Sequence, residues 1–209
     1  MSESEAIGCD PREEEILRAA FAEFTERGFH GATMLAVAGR ARASKATLYG
    51  RFGNKEGLFQ ALLEWGCRQT MADLRSIVDD VGRDPREALA DCAVRLLVSM
   101  SSPGALALLR IAIAEGGRQP EIGLIFSRLT REPIVALIRQ LVERMMRAQI
   151  IVADDPSEFG RSFIGILRGD LFYQALLGTV PPPATEDLER LARQAVARLL
   201  RAFAPQTAL

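Results

Sequence analysis

A single histidine, His30, and three dispersed cysteines, Cys9, Cys67 and Cys92, leave little material for acid–base catalysis or for zinc. No Cys-x-x-Cys pair and no histidine cluster occurs, so a structural zinc site, a disulfide framework and a His-based triad all lack their parts. The cysteines read as small hydrophobes or surface thiols. Glycine-rich phosphate loops and helices of the Glu-x-x-His kind are also missing, which argues against a nucleotide-binding or di-metal enzyme. The longest apolar stretch, Ala105 to Ala114, is cut by Arg110 and falls well short of the roughly 20 residues of a membrane span. The first eleven residues carry acids and no basic-then-apolar signal, so the expected location is cytoplasmic, with no membrane partner. Neither a cofactor nor a metal is implied.

The most informative scarcity is local. From Arg27 through Lys55 there is no Asp or Glu, while Arg27, Arg40, Arg42, Lys45, Arg51 and Lys55 give that window a charge of +6. Because the whole chain carries a net −1, the remaining 180 residues together carry about −7. Both of the chain's lysines fall inside the window. A solvated helical face normally mixes signs, whereas a one-sign basic patch on an otherwise acidic protein suits the neutralisation of phosphates. The partner expected from charge alone is nucleic acid.

What is present is helical periodicity. Alternating strands bounded by hairpin turns are lacking, and an apolar fraction of 48% is ample for a packed core, so the fold class is all-α. A first helix, about Arg12 to Arg27, places Ile16, Leu17, Ala20, Phe21 and Phe24 on one stripe and stops at Gly28. Thr33 offers an N-cap hydroxyl to a short helix, Met34 to Ala41, with Leu35, Val37 and Ala38 expected to face inward. Ser44 caps a second short helix, Lys45 to Phe52, which Gly53 and Asn54 end. Two short helices joined by a tight turn after a longer one make a helix-turn-helix unit, and the basic window coincides with it. A long helix, Lys55 to Val81, then runs to the breakers Gly82, Asp84 and Pro85. Further helices are expected over Arg86 to Ser101, Pro103 to Glu115, Pro120 to Gln149, Pro156 to Leu177 and Thr185 to Ala204. Pro133 should kink or split the third of these, and the connector Gly178 to Ala184 holds three successive prolines.

These residues bring a family into view. The segment from Ile16 to Phe59 resembles the DNA-binding domain of TetR-type regulators, through Phe24, Gly28, Phe29, Thr33, Val37, Ala38, Ser44, Lys45, Thr47, Leu48, Tyr49, Phe52, Lys55, Glu56 and Leu58. The likeness covers about a fifth of the chain and fixes residue types across three helices and two turns. It implies two domains, 12–58 for DNA binding and 59–205 for ligand binding and dimerisation. Lys45, Ala46 and Thr47 would sit in the first turn of the recognition helix, with Ala46 small enough to touch a thymine methyl. Thr33, Arg42, Ser44, Tyr49, Arg51 and Lys55 would add contacts to the DNA backbone or groove wall. One departure stands out: the family places Gly in the turn, and this chain has Arg42 there.

Beyond Arg86 the sequence is similar, more weakly, to the C-terminal domain of multidrug-efflux-type TetR regulators. That likeness implies a homodimer through the last helices, for which Phe159, Phe163, Ile166, Gly169 and Phe172 are the expected contacts. A buried core helix within one chain is the alternative reading of that segment. An effector pocket would draw on Trp65, Met100, Arg110, Phe126, Arg168 and Tyr173. The function so implied is a dimeric repressor released from a palindromic operator by a small molecule. A ligand-independent regulator or an activator is the nearest alternative, and a helical enzyme a remote one.

Overall fold

The computed structural model describes residues 10–181 and 183–205; Cys9 and Pro182 lie outside them. The described residues form eleven α-helices: α1 (Pro11–Gly31), α2 (Met34–Arg40), α3 (Lys45–Phe52), α4 (Lys55–Asp79), α5 (Pro85–Met100), α6 (Pro103–Gly116), α7 (Pro120–Phe126), α8 (Glu132–Arg147), α9 (Pro156–Leu167), α10 (Asp170–Leu177) and α11 (Thr185–Ala202). No strand occurs among them.

Local chemistry explains most helix starts. Three helices begin with the same Asp-Pro pair: Asp10, Asp84 and Asp155 each turn a carboxylate onto first-turn amides, while Pro11, Pro85 and Pro156 occupy a position where no N–H is needed. Thr33 and Ser44 cap α2 and α3 with their hydroxyls. Gly28 ends the first run of α1 as expected, at φ 68° and ψ 171°, but one further helical turn follows the kink.

Two expected helices break where the sequence showed only periodicity or a different breaker. The run from Pro120 splits before Pro133, through a wide π turn over Ser127–Arg131, and the Thr130 hydroxyl donates to the Phe126 carbonyl at 2.7 Å. Pro133 then lies in the first turn of α8, where its ring is harmless. The run Pro156 to Leu177 is two helices, parted at Arg168 and Gly169. An unbroken helix burying Phe159, Phe163 and Leu167 would next turn residues 170, 171 and 174 inward. The break shifts that phase, and Phe172 and Ala175 are buried instead.

Contacts divide the chain into two compact units, each discontinuous: Met1–Gln69 with Ala107–Thr130, and Thr70–Leu106 with Arg131–Leu209. The division differs from a single cut at 58 and 59 because Leu108, Ile111 and Ile122 join the core built by α1 to α4. In that first unit Ile16, Leu17, Phe24, Leu48, Leu58, Phe59 and Leu62 are sealed from water. Phe24, Phe29 and Phe59 form a three-ring cluster with centroids 5.5 to 5.6 Å apart, one stacked pair and two edge contacts. On α2 the inward residues are Met34, Val37 and Ala38; Leu35, expected inside, is 68% exposed. With the cap fixed at Thr33, positions 34, 37 and 38 share the buried face and position 35 points away.

The second unit packs α5, α8, α9 and α11 on one another around Leu89, Cys92, Ile138, Leu141, Met145 and Val196. Arg144 closes the end of α4 and its loop: its guanidinium donates to the carbonyls of Val78, Asp80, Val81 and Arg83 at 2.9 to 3.3 Å. Phe159 and Phe163 are fully buried in this core, and Phe172 on α10 is buried outside it. Phe159 and Phe163, expected at a dimer interface, thus pack inside the core of their own chain. Of that expected set, Ile166 is half-buried and Gly169 exposed.

Candidate nucleic-acid interface

The helix α3 is attached by its inner face and presents its outer one. Leu48 is the one fully buried residue of α3, with Phe52 packed partly against the same core. Lys45, Ala46 and Tyr49 are exposed, Tyr49 at 44%. The Lys45 ammonium lies 5.5 Å from the centre of the Tyr49 ring, one helical turn away, so the pair forms a cation over a π face at the open end of the helix. Ser44 accepts from the Thr47 amide at 2.9 Å and shares a second hydrogen bond, 2.8 Å, with the Thr47 hydroxyl. Thr33 caps α2 through the Ala36 amide at 3.1 Å. The hydroxyls of Thr33, Ser44 and Thr47 thus hold the two helix ends in shape.

Arg42 adopts φ 49°. Its amide donates to the Gly39 carbonyl at 3.2 Å and the Ala43 amide to the Ala38 carbonyl at 2.9 Å, the paired bonds of a Schellman helix end with Arg42 in the left-handed position. A side chain there costs about 1 kcal/mol relative to glycine. The Arg12 guanidinium holds the same turn by donating to the Arg42 carbonyl at 2.6 Å. The Arg42 side chain is left exposed at the turn.

The six cations of the basic window are not equivalent. Arg40 pairs with Glu23 at 3.0 Å and with Glu26, whose carboxyl it holds below the usual range. Arg27 lies 3.4 Å from the same Glu23, which is 1% exposed. Arg51, expected on the DNA backbone, instead meets Asp10 at 2.5 Å and Glu13 at 3.4 Å. Lys55 donates to the carbonyls of His30 and Ala32, both at 3.2 Å, and sits 4.7 Å from the Phe29 ring centre, so it ties down the α1 end. Among the described residues no carboxylate pairs with Arg42, Lys45 or Lys55. Sequence reasoning missed Asp10, Arg12, Glu13 and Glu23 as parts of this site. The cue available was the run of acids in the first helix, next in sequence to an acid-free basic window.

The residues expected to form an effector pocket divide between the units. Trp65, Arg110 and Phe126 belong to the first, Met100, Arg168 and Tyr173 to the second. Arg110 and Tyr173 are exposed, the other four half-buried. Arg168 is the most unusual of them: its Nε is buried without a hydrogen-bond partner, and its guanidinium lies 5.8 Å from the Phe172 ring. Burial, and then the charge of Arg131, lower its pKa.

Comparison with known proteins agrees with this geometry. Residues 16–62 match the bacterial regulatory proteins of the tetR family, and residues 87–205, more than half of the chain, match the C-terminal domain of AefR-like transcriptional repressors. The chain belongs to the TetR family of transcriptional regulators. Its relatives include the HTH-type transcriptional regulator UidR of Escherichia coli (strain K12), 29% identical over 143 residues that make up 68% of either protein. Among solved structures, a TetR-family regulator from Mesorhizobium loti MAFF303099 aligns with a TM-score of 0.79 at 25% identity, over 93% of this chain and 97% of that one. The flavonoid-responsive regulator FrrA aligns with a TM-score of 0.73 at 30% identity, over 94% and 98%. Proteins of this TetR-family kind regulate transcription by binding DNA. No single helix among the described residues is long and apolar enough to cross a membrane.

Proposed function

We propose that this TetR-family chain acts as a homodimeric repressor, bound to a palindromic operator and released by a small-molecule effector. The observation that carries the reading is the open outer face of α3, where Lys45, Ala46 and Tyr49 stand clear of a helix anchored through Leu48. A single eight-residue helix reads few base pairs, and two of them about 34 Å apart read a palindrome. The dimer contact falls to the outer face of α9 and α10, where Gly165, Gly169, Tyr173 and Leu177 are exposed beside half-buried Ile166. Release follows when an effector favours a spacing of the two recognition helices that no longer fits adjacent grooves. To empty a mostly occupied operator it must prefer that state by several kcal/mol. The flavonoid response of FrrA supports a small organic effector, and Arg168, half-buried without an acceptor for Nε, is the anchor best suited to an acidic group on it.

Polarisation titrations with a duplex from the region upstream of the chain's own gene test this. Lys45→Ala and Tyr49→Ala must weaken binding, and native mass spectra must show two chains per duplex. Unchanged affinity in both variants would remove the site assignment, and a single bound chain would remove the dimer.

A further inference from the structure

The recognition helix is held at its far end by acid from the start of the first helix. Asp10 and Glu13 converge on the Arg51 guanidinium, at 2.5 and 3.4 Å, across separations of 41 and 38 residues. The same turn of α1 sends Arg12 to the Arg42 carbonyl and to Glu15. Thus one short acidic segment touches both the turn before α3 and the last turn of α3. The carboxylates stand toward Arg51 as the oxygens of a DNA phosphate would: anionic acceptors on a guanidinium, at hydrogen-bond distance. Both partners are partly exposed, at 38% for Arg51 and 44% and 33% for the acids, so water and a competing anion reach the pair. The Asp10 carboxyl is pulled below its usual range, chiefly by the Arg51 hydrogen bond and then by the Arg12 amide, so it is charged wherever the protein binds DNA.

We propose that Asp10 and Glu13 act as an internal phosphate surrogate that holds Arg51 back from the duplex, so that the acidic start of α1 sets the affinity and salt dependence of DNA binding. This rests on α3 being the recognition helix. A guanidinium already satisfied by two carboxylates gains little from a phosphate, because the exchange replaces one charged acceptor by another. The surrogate weakens binding to every sequence alike, since a backbone contact carries no base information. It therefore leaves discrimination to the base-facing residues while lowering occupancy of random DNA.

The test uses the full chain and two fluorescein-labelled duplexes of equal length, one from the region upstream of its gene and one of random sequence, titrated across a salt series. In D10N/E13Q the charges are removed while the introduced asparagine amide oxygen retains the helix cap that Asp10 supplies to the Arg12 amide. The expected result is tighter binding to both duplexes, by up to about fivefold. The plot of log affinity against log salt should steepen by about 0.9 per chain. Adding Arg51→Ala to that variant should cancel both changes. The inference is overturned when D10N/E13Q matches the parent in affinity and slope, or when the gain survives in the triple variant, which would place it in general charge rather than in Arg51. A parent that binds neither duplex refutes the DNA-binding reading itself, a distinct outcome. Matching circular dichroism of the parent and both variants establishes that each is folded.

Discussion

Two glycines seven residues apart should answer the same substitution with opposite signs. Gly50 lies inside α3, exposed, and a Cβ built there meets nothing within 4 Å. Alanine at that position removes the conformational penalty of a helical glycine and should stabilise the unit by about 1 kcal/mol, raising the melting temperature by about 2–4 °C. Gly57 lies in the first turn of α4, where helix propensity alone predicts the same gain. Its Cβ, however, would stand 2.1 Å from the carbonyl oxygen of Phe52 and 3.3 Å from the Asn54 side chain. The obstacle is backbone, pinned because the Phe52 carbonyl accepts from the Asn54 amide at 2.8 Å and Asn54 Oδ1 accepts from the Gly57 amide at 2.8 Å. Relieving the overlap requires the end of α3 and the start of α4 to separate, a cost of about 3 kcal/mol or more that outweighs the propensity gain and leaves a net loss of about 2 kcal/mol. Since Phe52 is the last residue of α3, the movement reaches the recognition helix, and DNA affinity should fall with stability. Thermal unfolding and polarisation titration of Gly50→Ala and Gly57→Ala decide the matter. A Gly57→Ala protein as stable as its Gly50→Ala counterpart would refute the steric argument.

Arg42→Gly should raise stability by about 1 kcal/mol by relieving the left-handed turn, yet weaken DNA binding by removing an exposed cation, so the two readouts must move in opposite directions. Phe59→Ala, which deletes the ring that touches both Phe24 and Phe29 by their edges, should cost about 3–5 kcal/mol in urea unfolding; a loss under 1 kcal/mol would contradict the packing described. Glu26 has its carboxyl pKa lowered, first by the Arg40 hydrogen bond, so the stabilisation it confers is present above the unfolded value and lost as pH falls through the folded one. Thermal unfolding from pH 7 down to 3 should accordingly lose less stability in Glu26→Gln than in the parent. Burial pushes the Cys92 thiol up to about 12 and raises Cys67 as well, so at pH 8 both should resist a thiol reagent until denaturant is added, as read by mass spectrometry of labelled peptides.

Features fixed by neighbours in sequence were legible from it. The Thr33 and Ser44 caps, the Gly28 break and the extent of the recognition helix each depend on a few adjacent residues, and the structure has them where local chemistry places them. The apolar stripe of α1, from Ile16 to Phe24, was equally plain because it recurs at helical spacing. Leu35 was misplaced because a seven-residue helix offers too few apolar positions to fix its phase without the cap geometry. The α9–α10 break was hidden because glycine at position 169 reads equally as a close-packing residue and as a hinge. What no local pattern could reveal is which core a helix joins, as with Leu108, Ile111 and Ile122, or which acid neutralises which base. Glu23 and Arg40, or Asp10 and Arg51, meet only after the chain has folded.

That hidden pairing changes the electrostatics expected of the protein. Counting basic residues in the window gives six cations per chain, and for the proposed dimer twelve phosphate contacts, a slope of about −11 in log affinity against log salt. In the folded unit Arg27, Arg40 and Arg51 face carboxylates, which leaves Arg42, Lys45 and Lys55. Six such contacts per dimer predict a slope of about −5. The difference is functional: a repressor with the steeper dependence would bind any duplex strongly at low salt, whereas the shallower one relies more on base contacts made by the outer face of α3. Titration of a random-sequence duplex between low and moderate salt separates the two, and a slope near −11 would mean that the ion pairs open on DNA and that the acids of α1 exert no hold on Arg51.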